Sequence, residues 1–151
     1  MIRTSSTLLI LAVLLTSCTS QSGPELPEAE FFVNPGQQFA LRVGETAGVV
    51  TTQAIVLVRF NGVTLDSRCP ENVTCVTAGF ATVLLTVQTA LNVQDIMLDV
   101  PPDGSIEQVV DEVTVTAIGV RPNAEAGVAI EPLSYVVGLI VSQSGTIPIP
   151  G

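Results

Sequence analysis

The chain has 151 residues, 47% of them hydrophobic, and a formal net charge of −9 at pH 7, with neither lysine nor histidine. The lack of histidine excludes Ser-His-Asp and Cys-His nucleophilic catalysis and histidine-containing metal motifs, so no cofactor is predicted. An acidic chain of this kind repels phosphates, so nucleic acid is not an expected partner.

The first seventeen residues have the pattern of an export signal. Arg3 gives a short positive start, and residues 8–15 (LLILAVLL) form an apolar run. This run is far shorter than the roughly 18 to 20 residues that span a bilayer. Leu15-Thr16-Ser17-Cys18 then has the form of a lipobox, with small residues before the cleavage point. We predict that residues 1–17 are removed and that Cys18 carries diacylglycerol on its thiol and an acyl chain on its freed amine.

The motif resembles that of bacterial lipoproteins, over residues 1 to about 20. The resemblance implies a membrane anchor, because two or three acyl chains hold a soluble domain at a bilayer without a protein span. It also implies sorting to the outer membrane in a cell with two membranes, since Thr19 stands where an inner-membrane retention signal typically has Asp. The alternative is an ordinary signal peptide in which Cys18 is incidental.

A polar segment follows the predicted anchor. Residues 19–30 (TSQSGPELPEAE) have almost no apolar content, which predicts a flexible tether that spans residues 18–30 with Cys18 included. The folded domain is predicted over residues 31–144. Residues 145–151 (GTIPIPG) predict a C-terminal tail, because prolines are poorly accommodated in a central strand.

Between these ends the hydrophobic residues recur with a period of two, which indicates strands and not helices. Turn residues such as Asn61-Gly62, Pro102-Asp103-Gly104 and Arg121-Pro122-Asn123 separate the strands. The pattern predicts an all-β fold: a single antiparallel β-sandwich with immunoglobulin-like or related topology, with a closed barrel as the second choice. The residues predicted to face inward are Phe39, Leu41, Val43, Val56, Val58, Phe60, Ala81, Val83, Leu85, Val87, Ile96, Leu98, Val100, Val113, Val115, Ala117, Tyr135, Val137, Leu139 and Val141.

Several large apolar side chains fall on the strand faces that this alternation assigns to solvent. They are Ile55, Leu57, Leu84, Ile118, Val136 and Ile140. One interpretation is that the assigned register is shifted by one residue, or that loops cover these faces. The other is an apolar surface that docks an envelope protein or a second copy of the chain, and the lack of lysine to block edge-to-edge pairing is consistent with it.

With Cys18 assigned to the lipid, Cys69 and Cys75 remain. An even pair in an exported chain predicts a structural disulfide, and closing this small loop would stabilise the fold by about 2 kcal/mol. The alternative is a redox or metal pair. The Cys-x5-Cys spacing and the lack of further cysteine or histidine ligands argue against it.

The segment around these cysteines, residues 66–79 (DSRCPENVTCVTAG), has a fairly specific pattern. Together with Val58-Arg59-Phe60 and Val63 before it, the segment resembles a set of small, uncharacterised bacterial secreted proteins and lipoproteins. These carry a DSRCP segment, a second cysteine and an Ala-Gly before a β-strand. The resemblance covers roughly residues 38–88, and Thr77 stands where those proteins often have an aromatic residue. It implies a β-rich envelope domain and brings no known activity.

Asp66 and Arg68 are the candidate interaction residues. Because they are two positions apart on extended backbone, their side chains point the same way and can form an ion pair. One interpretation is that this pair, with the stiff disulfide ring, fixes a long connection to the sandwich. The other is that Arg68 presents its guanidinium to a carboxylate of a partner or ligand.

Acidic residues offer a further candidate site. Asp95, Asp99 and Asp103 share one strand parity, and Asp111-Glu112 lie nearby in the chain. Such oxygen ligands suit calcium, but no EF-hand-like spacing occurs. A solvated acidic face is the favoured interpretation, and no metal site is assigned.

These features predict a membrane-anchored envelope lipoprotein that acts as a non-enzymatic binding or structural module. Its expected partners are the membrane, through the lipid, and another envelope protein or a second copy. The first alternative is an enzyme that uses paired carboxylates. Two further alternatives are a protease inhibitor that uses the Cys69 to Cys75 loop and a calcium-stabilised adhesion module.

Overall fold

The computed structural model describes residues 28–144. The predicted signal peptide, Cys18, most of the predicted tether and residues 145–151 lie outside the described residues. Over residues 28–144, no helix has the length and apolar character needed to cross a membrane. The elements are β1 (Phe31–Val33), β2 (Gln38–Arg42), β3 (Thr46–Val50), β4 (Ile55–Asp66), β5 (Ala81–Gln88), β6 (Val93–Val100), β7 (Ile106–Val110), β8 (Val113–Arg121), a short 3-10 helix (Pro132–Ser134) and β9 (Val136–Gln143).

The strands form two sheets that pack face to face. The first sheet has the order β1-β3-β4-β5-β6 and the second has the order β2-β9-β8-β7. Neighbouring strands are antiparallel except for β1 and β3, which are parallel. Each sheet ends in edge strands and does not close on itself, so the predicted β-sandwich is confirmed. Strands β3 to β6 and β7 to β9 follow one another in sequence order within their sheets, and the chain crosses between the sheets after β1, after β2 and after β6.

The core lies between the two sheets and is built from alternate residues of each strand. The residues predicted to face inward are buried, apart from Val43, which is partly buried against the edge of the core. Phe60, Leu41, Leu85 and Leu139 are among the largest side chains that are fully enclosed. The register predicted from the sequence is therefore confirmed, and the interpretation that it is shifted by one residue is wrong.

Strand β4 is longer than the sequence predicts. A turn is expected at Asn61-Gly62, but β4 continues to Asp66 and stays paired with β5. The pairing shifts between Phe60 and Gly62, where Gly62 has a φ of 137°. Because glycine adopts this φ without strain, the expected turn is accommodated as an irregularity inside the strand. The extension carries Asp66 to the end of the first sheet.

The two ends of the sandwich differ in the length of their connections. One end, here called the turn end, carries the short turns 51–54, 89–92 and 111–112. The other, here called the loop end, carries the longer connections 67–80, 101–105 and 122–135. At the turn end, Thr89 Oγ1 donates to Asp111 Oδ2 at 2.6 Å and Gln143 Nε2 donates to Thr52 Oγ1 at 2.9 Å. These bonds join the two sheets at the turn end.

Candidate functional site

The connection between β4 and β5, residues 67–80, is closed by a disulfide bond and is called the disulfide loop below. Cys69 and Cys75 are joined, with their Cα atoms 5.9 Å apart, as the sequence predicts. Gly79 is required at the base of the loop. Its φ is 67°, and a Cβ at this position would overlap the carbonyl group of Ser67.

Arg68 and Asp66 form a two-point ion pair at the start of the disulfide loop. Nε of Arg68 donates to Oδ1 of Asp66 at 2.9 Å, and Nη2 donates to Oδ2 at 2.6 Å. The Arg68 amide also donates to Oδ1 at 3.2 Å. The side chains are 5% and 14% exposed, respectively. The guanidinium is thus occupied by a carboxylate of its own chain, and a ligand carboxylate would have to displace Asp66.

Arg68 also contacts the second sheet. Nη1 donates to the carbonyl of Val120 at 2.7 Å, and Nη2 donates to the carbonyl of Pro122 at 2.9 Å. Asp66 ends β4 in the first sheet, whereas Val120 lies in β8 of the second sheet. One buried guanidinium therefore connects the two sheets at the loop end.

Tyr135 completes this cluster. Its side chain is 7% exposed, and its hydroxyl donates to Oδ2 of Asp66 at 3.0 Å. The sequence places Tyr135 on the core face but does not identify the hydrogen bond. The signal that could have found it is the phenol itself, since a buried tyrosine hydroxyl usually has a polar partner.

The cluster changes the proton affinities of its members. Burial acts to raise the pKa of Asp66, but hydrogen bonds from the Arg68 side chain and amide and from Tyr135 outweigh it, so the pKa is lowered. The hydrogen bond to Asp66 raises the pKa of Arg68 against the effect of burial. Burial, followed by the hydrogen bond to Asp66, raises the pKa of Tyr135. The cluster therefore favours an ionised Asp66 beside a protonated Arg68 and a neutral Tyr135.

The far side of the disulfide loop is attached to the connection between β8 and β9. The Glu71 amide donates to the Ala124 carbonyl at 2.9 Å, and Asn123 Nδ2 donates to the Glu71 carboxylate. Residues 71–78 are nevertheless exposed to solvent. Val76 is fully exposed near the tip. The loop is thus held at its base and projects at its tip.

An open groove of about 690 Å³ lies against the outer face of the second sheet. Its floor is a row of small residues on three neighbouring strands, in which Ala40 pairs with Gly138 and Gly138 pairs with Gly119. Among residues 28–144, a Cβ at Gly119 would meet no atom within 4 Å, whereas one at Gly138 would lie 3.0 Å from Cγ1 of Ile118. The disulfide loop and residues 101–103 form its walls.

Charged and polar side chains also line this groove. Arg121 donates from Nη1 to Oδ1 of Asn123 at 2.7 Å. Glu71 and Asp103 both line the groove, which is the kind of arrangement that a carboxylate-based enzyme would need. The Glu71 carboxylate, however, already accepts a hydrogen bond from Asn123.

The aspartates considered for calcium are not brought together. Over residues 28–144, no group of three acidic, cysteine or histidine side chains is placed to hold a metal ion. Asp95 accepts from Thr86 Oγ1 at 2.6 Å and Asp99 accepts from Thr82 Oγ1 at 2.7 Å, both on the outer face of the first sheet. Asp103 lies at the groove instead.

The outward-facing apolar residues are divided between the two outer faces of the sandwich. Ile55, Leu57 and Leu84 lie on the first sheet, and Ile118, Val136 and Ile140 lie on the second. Ile118 and Val136 line the groove, and Ile55 is half exposed at the turn end. The sequence identifies these residues but cannot separate them, because alternation along a strand does not report which sheet the strand joins.

No family model, curated protein or solved structure matches the chain. The predicted lipobox and Cys18 lie outside the described residues. The site is therefore interpreted from the geometry of the disulfide loop, the Arg68 cluster and the groove.

Proposed function

We propose that the chain is a lipid-anchored protein of the cell envelope whose β-sandwich binds a partner protein in the groove without catalysing a reaction. In this proposal Cys18 carries the lipid, and the outer membrane is the location in a cell with two membranes. The observation that carries the binding role is the floor of the groove, where Ala40, Gly138 and Gly119 form one row across three strands.

The composition of the groove suits a protein ligand. Because Gly119 has no side chain and open space lies above it, a ligand backbone can approach the sheet closely at this position, beside the Ile118 side chain that covers Gly138. Ile118 and Val136 supply apolar contact beside this floor, and Arg121 supplies polar contact at the rim. An apolar centre with a polar rim is the usual composition of a protein interface.

The walls of the groove are held in place before any ligand arrives. The disulfide and the Arg68 cluster fix the base of the disulfide loop, and Asn72 Oδ1 accepts from the Ala126 amide at 2.9 Å. A preformed wall lowers the cost of ordering side chains and loops on binding. This rigidity supports a binding site in preference to a flexible connection.

Site-specific photocrosslinking in intact cells tests the binding role. A photoreactive residue placed at Val73, which lines the groove and is about half exposed, should give a discrete crosslinked protein product. Gly119→Val fills the open space of the floor and should abolish that product. The matched control is Val128→Leu, at an exposed position outside the groove, which should leave it intact.

Thermal unfolding of the variants separates loss of binding from loss of structure. We expect Gly119→Val to keep the melting temperature of the parent protein, because a Cβ at Gly119 meets no atom of the described part of the chain within 4 Å. A crosslinked product that survives Gly119→Val would contradict binding over this floor. The lack of any product from Val73 would contradict a partner in the groove.

A loop-type protease inhibitor is the second candidate, and the exposed tip of the disulfide loop favours it. Val76 follows Cys75 and is fully exposed to solvent, and the disulfide bond fixes the loop that carries it. An elastase-type protease accepts small aliphatic residues in its specificity pocket. Inhibition of such a protease that is lost in Val76→Asp and kept in Val128→Asp would establish this role. If the parent protein does not inhibit the protease, the inhibitor role is contradicted.

A further inference from the structure

Large apolar side chains are exposed together at the turn end of the first sheet. We call Phe32, Val50, Ile55, Leu91 and Val93 the apolar tip; their exposed fractions are 60%, 46%, 50%, 78% and 53%. Leu91 lies in the turn 89–92 between β5 and β6. Contiguous exposed apolar surface of this kind marks a site of contact with another molecule or with a membrane.

Strand pairing places these residues at one end of the first sheet, from one edge strand to the other. Val50 pairs directly with Ile55 across β3 and β4. One residue row runs across the sheet from Phe32 through Gly48, Leu57 and Gln88 to Val93. The core-facing residues alternate with these positions, so the row lies on the outer face of the sheet.

The chain enters the domain across the same surface. Glu28 and Ala29 line a shallow pocket with Phe32, Ile55 and Leu57. The Phe32 ring and Ala29 both lie over Gly48, where an added Cβ would be 2.5 Å from the ring and 3.2 Å from the Ala29 Cβ. Whatever is attached upstream of Glu28 is therefore attached at the apolar tip.

The proposed anchor limits how far the apolar tip can move from the membrane. Glu28 is ten positions after Cys18, and ten steps of fully extended chain span at most about 36 Å. The tether thus maintains a high local concentration of lipid at this surface, and a weak apolar contact suffices for binding under that condition.

We infer that the apolar tip rests on the lipid surface, with Leu91 and Phe32 inserted at the headgroup boundary. This inference rests on the proposed lipid anchor. The acidic groups near the tip, Glu28, Asp95 and Asp111, indicate a zwitterionic surface, since an anionic one would repel them. Insertion of a few apolar side chains at the headgroup boundary is the interaction that amphipathic surface anchors use.

The same orientation directs the groove away from the membrane. Strand β6 begins at Val93 in the apolar tip and ends at Val100, next to the groove residue Pro101. Seven steps along a strand correspond to about 23 Å. The loop end, with the groove and the disulfide loop, is then free to meet a partner.

Tryptophan fluorescence tests this orientation, because the chain contains no tryptophan of its own. Leu91→Trp places a single reporter in the apolar tip, and Val76→Trp places a matched reporter at the loop end; both replace exposed aliphatic residues. The acylated mature protein is reconstituted into vesicles of phosphatidylcholine and phosphatidylethanolamine, with and without brominated acyl chains. We expect the bromines to remove most of the emission of Leu91→Trp and to leave that of Val76→Trp unchanged.

Vesicle flotation, measured on the same samples, distinguishes failure of the anchor from failure of the orientation. A protein that floats with the vesicles but shows equal quenching at the two positions would overturn the orientation and leave the anchor intact. A protein that does not float would overturn both. A Leu91→Trp emission that depends on protein concentration in detergent, without quenching in vesicles, would assign the tip to a second copy and overturn the proposal.

Discussion

Tyr135 and Asp66, which are 69 positions apart in the chain, share a hydrogen bond of 3.0 Å between the phenol hydroxyl and Oδ2. The same oxygen accepts Nη2 of Arg68 at 2.6 Å. A single carboxylate thus receives donors from the disulfide loop and from the residue that precedes β9. Asp66 is therefore the acceptor on which the arrangement of the loop end depends.

Asp66→Asn removes the counterion of a buried arginine and should destabilise the fold strongly. Breaking one side of a buried ion pair costs about 3 kcal/mol or more, because the remaining charge is left uncompensated. The free energy of unfolding, measured with urea, should fall by that amount. Asp103→Asn is the control at the same end of the domain, because Asp103 is exposed, and its effect should stay within about 0.5 kcal/mol. Equal effects of the two substitutions would show that the ion pair contributes little.

The contribution of Asp66 should also depend on pH in a defined direction. Since its folded pKa lies below the ordinary value of 3.8, the stabilisation is fully present above that value. This stabilisation is lost as the pH falls through the pKa that Asp66 has in the folded protein. At that pH the Asp66 carboxyl is already protonated in the unfolded chain and becomes protonated in the folded protein as well. The difference in unfolding free energy between the parent protein and Asp66→Asn should be constant near neutral pH and shrink below pH 3.8. A difference that grows on acidification would contradict the assigned direction.

Tyr135 offers a direct spectroscopic measurement, because it is the single tyrosine in a chain without tryptophan. Burial and the bond to Asp66 raise its pKa above the ordinary 10.0. The near-ultraviolet absorbance of tyrosinate should therefore titrate above pH 10.0 in the folded protein and near it in denaturant. The stabilisation from the Tyr135 hydroxyl is present below the pKa of tyrosine in the unfolded chain. It is lost as the pH rises through the pKa of Tyr135 in the folded protein. A folded midpoint at or below 10.0 would show that the hydroxyl is not held by Asp66.

Gly48 and Phe32 should be coupled in stability. A Cβ at Gly48 would lie 2.5 Å from the Phe32 ring, so Gly48→Ala forces the ring away from the sheet. Such overpacking costs about 1 to 3 kcal/mol. In a Phe32→Ala background the ring is removed, and the Ala29 Cβ, at 3.2 Å, stays close to the added methyl group. Gly48→Ala should then change the free energy of unfolding by no more than about 0.5 kcal/mol, since alanine also restricts the unfolded chain more than glycine does.

A double-mutant cycle measures this coupling by urea unfolding of the two single variants and the double variant. Gly119→Ala is the matched control, since a Cβ there meets no atom within 4 Å in the part of the chain that the structure describes. Gly119→Ala should leave the free energy of unfolding nearly unchanged, both in the parent protein and in Phe32→Ala. Additive effects of Gly48→Ala and Phe32→Ala would place the ring elsewhere.

The sequence predicts the features that depend on local spacing. The period of two in β5 identifies its buried residues, and the even cysteine pair identifies the disulfide between Cys69 and Cys75. The two-residue spacing of Asp66 and Arg68 predicts that these side chains can pair. Each of these depends on residues close together in the chain, where backbone geometry fixes direction.

The features that depend on contacts between strands far apart in the sequence cannot be predicted from local spacing. The groove floor requires Ala40, Gly138 and Gly119 to meet across three strands, which follows from strand order and not from alternation. The bond from Tyr135 to Asp66 has the same origin. At Asn61-Gly62 the residue types favour a turn, but pairing of β4 with β5 on both sides outweighs that local preference.

We propose that Cys18 ties this domain to a membrane, and the intact mass of the protein purified from membranes tests this proposal. We expect a chain that begins at Cys18, carries the added mass of diacylglycerol and an acyl chain, and lacks two hydrogens at Cys69 and Cys75. A product that retains residues 1–17, or one that begins at Cys18 without acyl mass, would contradict the lipid anchor.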